Sequence, residues 1–89
     1  MKKVLYYRLK TTGETLLQLP IDAEVLSARE RANTIALWVS GDESLPTEAR
    51  KFNVLRVDGH IEEGFEFIGS CVRYDDPSNV LQVFEDIRF

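Results

Sequence analysis

His60 is the only histidine in this 89-residue chain, and Cys71 the only cysteine. With Asp58 and Ser70 they are the parts from which a nucleophile, a base and an orienting acid are assembled in covalent hydrolysis. The contexts that mark such sites are missing. There is no Gly-x-Ser-x-Gly elbow and no papain-like surround for the cysteine. Asp58-Gly59-His60 also reads as an ordinary turn, and Cys71, between Ser70 and Val72, as a buried thiol. One histidine and one cysteine make no zinc site without two supporting carboxylates. Asp75, Asp76 and Asn79 offer oxygens to a hard cation, but without the spacing of a calcium loop. The doublets Glu62-Glu63 and Asp75-Asp76 point to opposite faces of an extended chain, so neither is a catalytic pair. Glycines at 13, 41, 59, 64 and 69 stand alone and cradle no phosphate. The residues therefore predict no enzyme, no metal and no cofactor.

The arginines are more informative. Arg29, Arg31, Arg50 and Arg56, with Lys51, fall on neighbouring extended segments in the middle of the chain. Converging guanidinium forks suit a phosphate or carboxylate. Trp38, with Tyr6, Tyr7 and Tyr74 in reserve, supplies a ring on which a base stacks. Arg29, Arg31, Arg50, Arg56 and Trp38 are the candidate ligand-binding set. The plainer account is a solvated strand face and a core tryptophan.

Eleven Lys and Arg against fifteen Asp and Glu give a net charge of −4. That balance argues against bulk nucleic-acid binding, which needs an electropositive face. No apolar run reaches the about 18 residues of a membrane span. Met1-Lys2-Lys3 begins as a signal peptide does, but Tyr6, Tyr7, Arg8 and Lys10 interrupt the apolar stretch that must follow. A lone cysteine fits a reducing cytoplasm.

The elements that must hold these residues are extended. Hydrophobicity alternates with a period of two along most of the chain, which predicts strands. They are read over residues 4–9, 15–19, 25–31, 34–40, 50–57, 65–72 and 80–84. Thr11 to Glu14 is a turn, predicting an N-terminal hairpin of the first two strands, and Pro20 closes the second. Segment 24–31 has helix-forming residues but no sustained apolar stripe. Strand and helix both stand there, with a tight turn at Arg31-Ala32-Asn33 favouring a second hairpin. Residues 41–46 and 75–79 are loops, and at most one short helical turn is expected, within 44–48 or 61–64. Gly69 is a candidate bulge or close backbone approach. The first ten residues are basic and the last fifteen acidic, which suggests that the first and last strands lie side by side, Tyr6 or Tyr7 against Val83 or Phe84. The prediction is a single domain, mainly β: a small antiparallel β-sandwich or partly open barrel of about seven short strands. A core this thin, without disulfide or metal, points to a homo-oligomer.

In order along the chain stand a basic, tyrosine-bearing first strand, Leu19-Pro20, Ala23 before Val25-Leu26-Ser27, and Leu37-Trp38. Pro46 then leads to Arg50 and Phe52, followed by Gly59-His60-Ile61, Ile68-Gly69-Ser70 and Val83-Phe84-Glu85. This pattern resembles a family of short proteins of tailed bacteriophages and prophages known only as a domain of unknown function. Glu62 stands where relatives usually have a proline, and Gln82 where they tend to carry a histidine. The resemblance implies a phage origin and the cytoplasm of the infected bacterial host. It implies no reaction or catalytic residue. The expected function is a non-catalytic phage accessory protein that binds, its partner a host protein. The alternative is a counter-defence protein that sequesters a nucleotide-derived signalling molecule at a subunit interface. A minor virion component and a small hydrolase rank behind both.

Overall fold

A computed structural model describes residues 1–73 and 76–88. Seven strands follow one another: β1 (Lys3–Leu9), β2 (Gly13–Pro20), β3 (Glu24–Arg31), β4 (Thr34–Gly41), β5 (Thr47–Leu55), β6 (Phe65–Arg73) and β7 (Asp76–Asp86). They form two antiparallel sheets, β1-β4-β3 and β2-β5-β7-β6, and no helix occurs among the described residues. The two sheets pack as an open sandwich, not a closed barrel. The mainly β expectation holds, and segment 24–31 is strand.

Alternation builds the core. Ile35, Leu37 and Val39 of β4 face inward and are fully buried, as are Phe52 of β5 and Leu81 and Val83 of β7. Leu9, Leu19, Val54 and Cys71 complete the layer between the sheets. Each large side chain removed from water there is worth about 1.5–3 kcal/mol.

Several expected pairings are replaced. β1 and β2 do not form a hairpin, because β1 pairs with β4 and β2 with β5. Lys10 to Thr12 instead arches from one sheet to the other, which lets Leu9 and Leu19 bury against the same core. Gly13, at φ +82°, makes the turn, and the Lys10 N–H donates to Thr15 Oγ1 at 3.0 Å. β1 and β7 are not neighbours either. Tyr6 and Tyr7 sit opposite Trp38 and Leu37, and Phe84 opposite Asn53 and Phe67. The opposite charges at the two ends are too weak to outweigh that apolar register. β5 begins at Thr47 and ends at Leu55, so no helical turn forms at 44–48. At the other candidate place a β-turn closes, with the Phe65 N–H donating to Glu62 O at 3.1 Å. β7 starts at Asp76, inside the segment read as a loop. Pro77 is tolerated there because this stretch pairs with β6 alone, β5 joining only from Gln82 onward.

The second hairpin is formed. Ala32 and Asn33 adopt φ +46° and +68°, as a two-residue turn joining right-twisted strands requires. Two bulges then set which residues face out. In β3, the register slips between Val25 and Ser27, leaving Leu26 unpaired. Val25 and Ala28 therefore both pack against the core, and Ser27, Arg29 and Arg31 turn to solvent. In β6, the slip between Phe67 and Gly69 bears out the bulge expected at Gly69. It lets Phe67 face out while Cys71 faces in.

Candidate functional site

The solvent face of the three-stranded sheet gathers Arg29, Arg31 and Trp38, three of the five candidate residues, and Tyr6 with them. Register places Tyr6 beside Trp38, Arg8 beside Ala36, Arg29 on the other side of Ala36 and Arg31 beside Thr34. Period-two alternation puts all five side chains on one face. The rings of Tyr6 and Trp38 lie 5.6 Å apart at 52°. Arg8 lies 5.9 Å from the centre of the Tyr6 ring, and its Nε donates to Tyr6 Oη at 3.3 Å. Tyr6, Arg8, Arg31 and Trp38 line a shallow depression of about 400 Å³. Among the described residues, no carboxylate pairs with Arg8, Arg29 or Arg31. Exposed guanidinium groups beside a tilted aromatic pair are chemically equipped for an anion that carries a planar group. Trp38 is half-buried on this face, and not part of the inner core as the plainer sequence reading had it.

The predicted arginine set does not converge as one group. Arg29, Arg31 and Trp38 share the face. Arg56 is exposed beyond the end of β5. Arg50 sits between the sheets. Its Nε and Nη2 donate to Glu85 at 2.6 and 2.7 Å, and its Nη1 donates to Ala23 O at 2.6 Å. Both side chains are mostly covered, at 15% and 12% exposure. The bidentate bond to Glu85 holds the Arg50 guanidinium even more firmly protonated than usual. Arg50 is thus a fastening between β5, β7 and the start of β3, with its donors already committed. Lys51, the other basic residue of β5, points out of the opposite face toward Glu14 at 3.8 Å.

Around Arg50 opens a cleft of about 870 Å³ at one end of the sandwich. Asp22, Glu24, Glu48, Glu66 and Glu85 line it against a single arginine, with Leu26, Phe67 and Ile87 among the apolar walls. No sequence motif marks this cleft, because its walls come from four strands and the segment before β3. A partial signal was available. Arg50 shares strand phase with Phe52 and Val54, and Glu85 with Val83 and Leu81, so two charges stand where apolar residues belong. The same logic exposes Arg8 and Tyr6, which alternate with Leu5, Tyr7 and Leu9.

The hydrolytic parts are not assembled. Ser70 and Cys71 point to opposite faces of β6. Ser70 Oγ donates to Gln82 Oε1 at 2.6 Å, while Cys71 is buried in the core. Burial pushes its thiol above the ordinary value, away from the reactive thiolate. Asp58, at φ +70°, and His60 are exposed in the β5–β6 connection. Among the described residues, no group of three or more His, Cys, Asp or Glu is placed to hold a metal. Tyr74 and Asp75 lie outside the described residues, as do the side chains of Asp76 and Asn79. Among the described residues, no helix is long and apolar enough to cross a membrane.

Fold and site together define a small two-sheet sandwich with a basic, aromatic outer face and an acidic cleft. The chain belongs to the DUF7352 family, a domain of unknown function, whose profile matches residues 1–88. No curated protein and no solved structure matches it.

Proposed function

We propose that this protein works by binding, without catalysis, and that its ligand is an anionic nucleotide-derived molecule held on the outer face of the β1-β4-β3 sheet. One observation carries the reading: the Tyr6–Trp38 ring pair lies beside Arg8, Arg29 and Arg31, none of which pairs with a carboxylate among the described residues. A base stacks on the rings and its phosphates meet the guanidinium groups. The net charge of −4 does not oppose this, because the acidic groups gather elsewhere, notably in the cleft. The sequence resemblance to short phage proteins suggests the setting, the cytoplasm of an infected bacterium. Sequestration of a signalling nucleotide is a task for such a protein there.

Trp38 is the only tryptophan in the chain, so its fluorescence reports directly on stacking. Titration with cyclic oligonucleotides and ADP-ribose derivatives is expected to quench it and to release heat. Trp38→Ala and Arg31→Ala should each weaken binding by about tenfold or more, and Arg56→Ala, off the face, should not. Absence of both quenching and heat across the panel sinks the nucleotide reading.

Binding to a host protein is the second reading. It is favoured by the end cleft, where five carboxylates and the apolar Leu26, Phe67 and Ile87 suit a basic, partly apolar segment. Glu48→Lys with Glu66→Lys would abolish capture of such a partner and leave nucleotide binding intact.

A further inference from the structure

Ala36 marks the middle of the arginine group. Alternation turns its side chain outward, between the inward Ile35 and Leu37, yet it is fully buried. Arg8 of β1 lies beside it on one side, Arg29 of β3 on the other, and Trp38 two residues along β4. A residue as small as alanine is hidden on a sheet surface when the longer side chains around it close over it. Arg31 joins them. It stands on the opposite edge strand from Arg8 and two residues out of register, yet both line one depression with Tyr6 and Trp38. Strand spacing and rise put Arg8 and Arg29 roughly 10 Å apart at Cα, and Arg31 about 7 Å further along β3. Extended arginine side chains reach across those spans, so three guanidinium groups can meet a ligand above one alanine.

The number of forks selects the anion. A guanidinium fork engages two acceptor oxygens. A phosphate monoester presents three oxygens, too few for three such forks. A second phosphoryl group, joined to the first through a shared oxygen, adds acceptors at the same place. The base side is equally restricted. Among the described residues this face carries one ring pair, Tyr6–Trp38, beside a depression of about 400 Å³. That space lies at the small end of ligand pockets and suits a single nucleoside. A nucleic-acid strand would need a ring platform for each successive base. A cyclic oligonucleotide brings further bases, and its phosphates are kept apart by the sugars between them.

We propose that the ligand of this face is a single nucleoside bearing a 5′-diphosphate, free or esterified at its far end. Its base lies on the Tyr6–Trp38 pair, and Arg8, Arg29 and Arg31 hold the diphosphate over Ala36. This inference rests on the nucleotide reading above and narrows it to one class.

Trp38 fluorescence and calorimetry on the full chain test it, without divalent cations so that no metal supplies the phosphate contacts. The titrants are AMP, ADP, ADP-ribose and a cyclic adenine dinucleotide. ADP and ADP-ribose are expected to bind at least about tenfold more tightly than AMP or the cyclic dinucleotide, and comparing the two shows whether the diphosphate is preferred free or esterified. Arg29→Gln and Arg31→Gln, both at exposed positions, should each draw the ADP-to-AMP affinity ratio toward one with an unchanged circular dichroism spectrum. Arg56→Gln should leave the ratio as it was. Equal affinity for AMP and ADP overturns the diphosphate assignment and leaves the nucleotide reading standing. So does tighter binding of the cyclic dinucleotide, or a ratio that survives both arginine variants. No response to any of the four overturns both.

Discussion

Arg50 donates three hydrogen bonds, two to Glu85 and one to Ala23 O, from a position between the sheets. Removing it strands a mostly covered carboxylate and a carbonyl. Arg50→Ala is therefore expected to cost about 2–4 kcal/mol in urea unfolding. The ion pair itself is not the source of that figure. Replacing both partners, as Arg50→Met with Glu85→Leu, should recover most of the loss, and a double variant as unstable as the single one would contradict this account. Asp86 gives a pH dependence. The Arg88 guanidinium, hydrogen-bonded at 2.9 and 2.7 Å, holds the Asp86 carboxyl down to about 2 from 3.8. A depressed carboxyl adds stability that is fully present above its unfolded value and lost as pH falls through the folded one. Wild type should thus exceed Asp86→Asn in stability above about pH 4. The gap should close as the pH approaches 2, read by denaturation at a series of pH values.

At the scale of elements, the β3–β4 turn and the Leu26 bulge decide the face that carries the candidate site. Ala32 holds a left-handed conformation at φ +46°, which costs an L-residue about 1 kcal/mol or more. Ala32→Gly should therefore raise the melting temperature. An unchanged or lower value would mean that the strain is taken up elsewhere. Gly64, at φ +93°, is the opposite case. Its backbone conformation disfavours a side chain, and a Cβ there would run into the Arg88 side chain that packs over it. Gly64→Ala should destabilise the protein by about 1–3 kcal/mol and loosen the Asp86–Arg88 pair with it. The Leu26 bulge was not legible in the sequence. Nothing in Val25-Leu26-Ser27 states that an extra residue sits there, because a bulge is defined by the partner strand it slips against. Its consequence is nonetheless large. Unbulged alternation continuing from Val25 turns Arg29 and Arg31 into the core.

At the scale of the whole molecule, the slab separates a basic aromatic side from an acidic end. If the chain self-associates, as its thin core leads one to expect, stability becomes concentration-dependent. A tenfold rise in protein concentration should raise the melting temperature by a few degrees. A wild-type melting temperature independent of concentration would count against self-association.

The sequence by itself determined the strand class, most strand positions and the tight turn at Ala32-Asn33, and it marked Gly69 as a bulge or a close backbone approach. These are local properties: a period of two, turn chemistry and a glycine in an apolar run. It also named Arg29, Arg31 and Trp38, because their types suit anions and stacking wherever they are placed. Only the tertiary structure decided that β1 and β2 part into different sheets, and that Arg8 and Tyr6 join Trp38. It alone committed Arg50 to Glu85 and withdrew it from any ligand. The reason is the same in each case. A strand's own residues fix which side chains share a face, but which strand lies beside it, and in what register, is set by the burial of apolar faces that are distant in sequence.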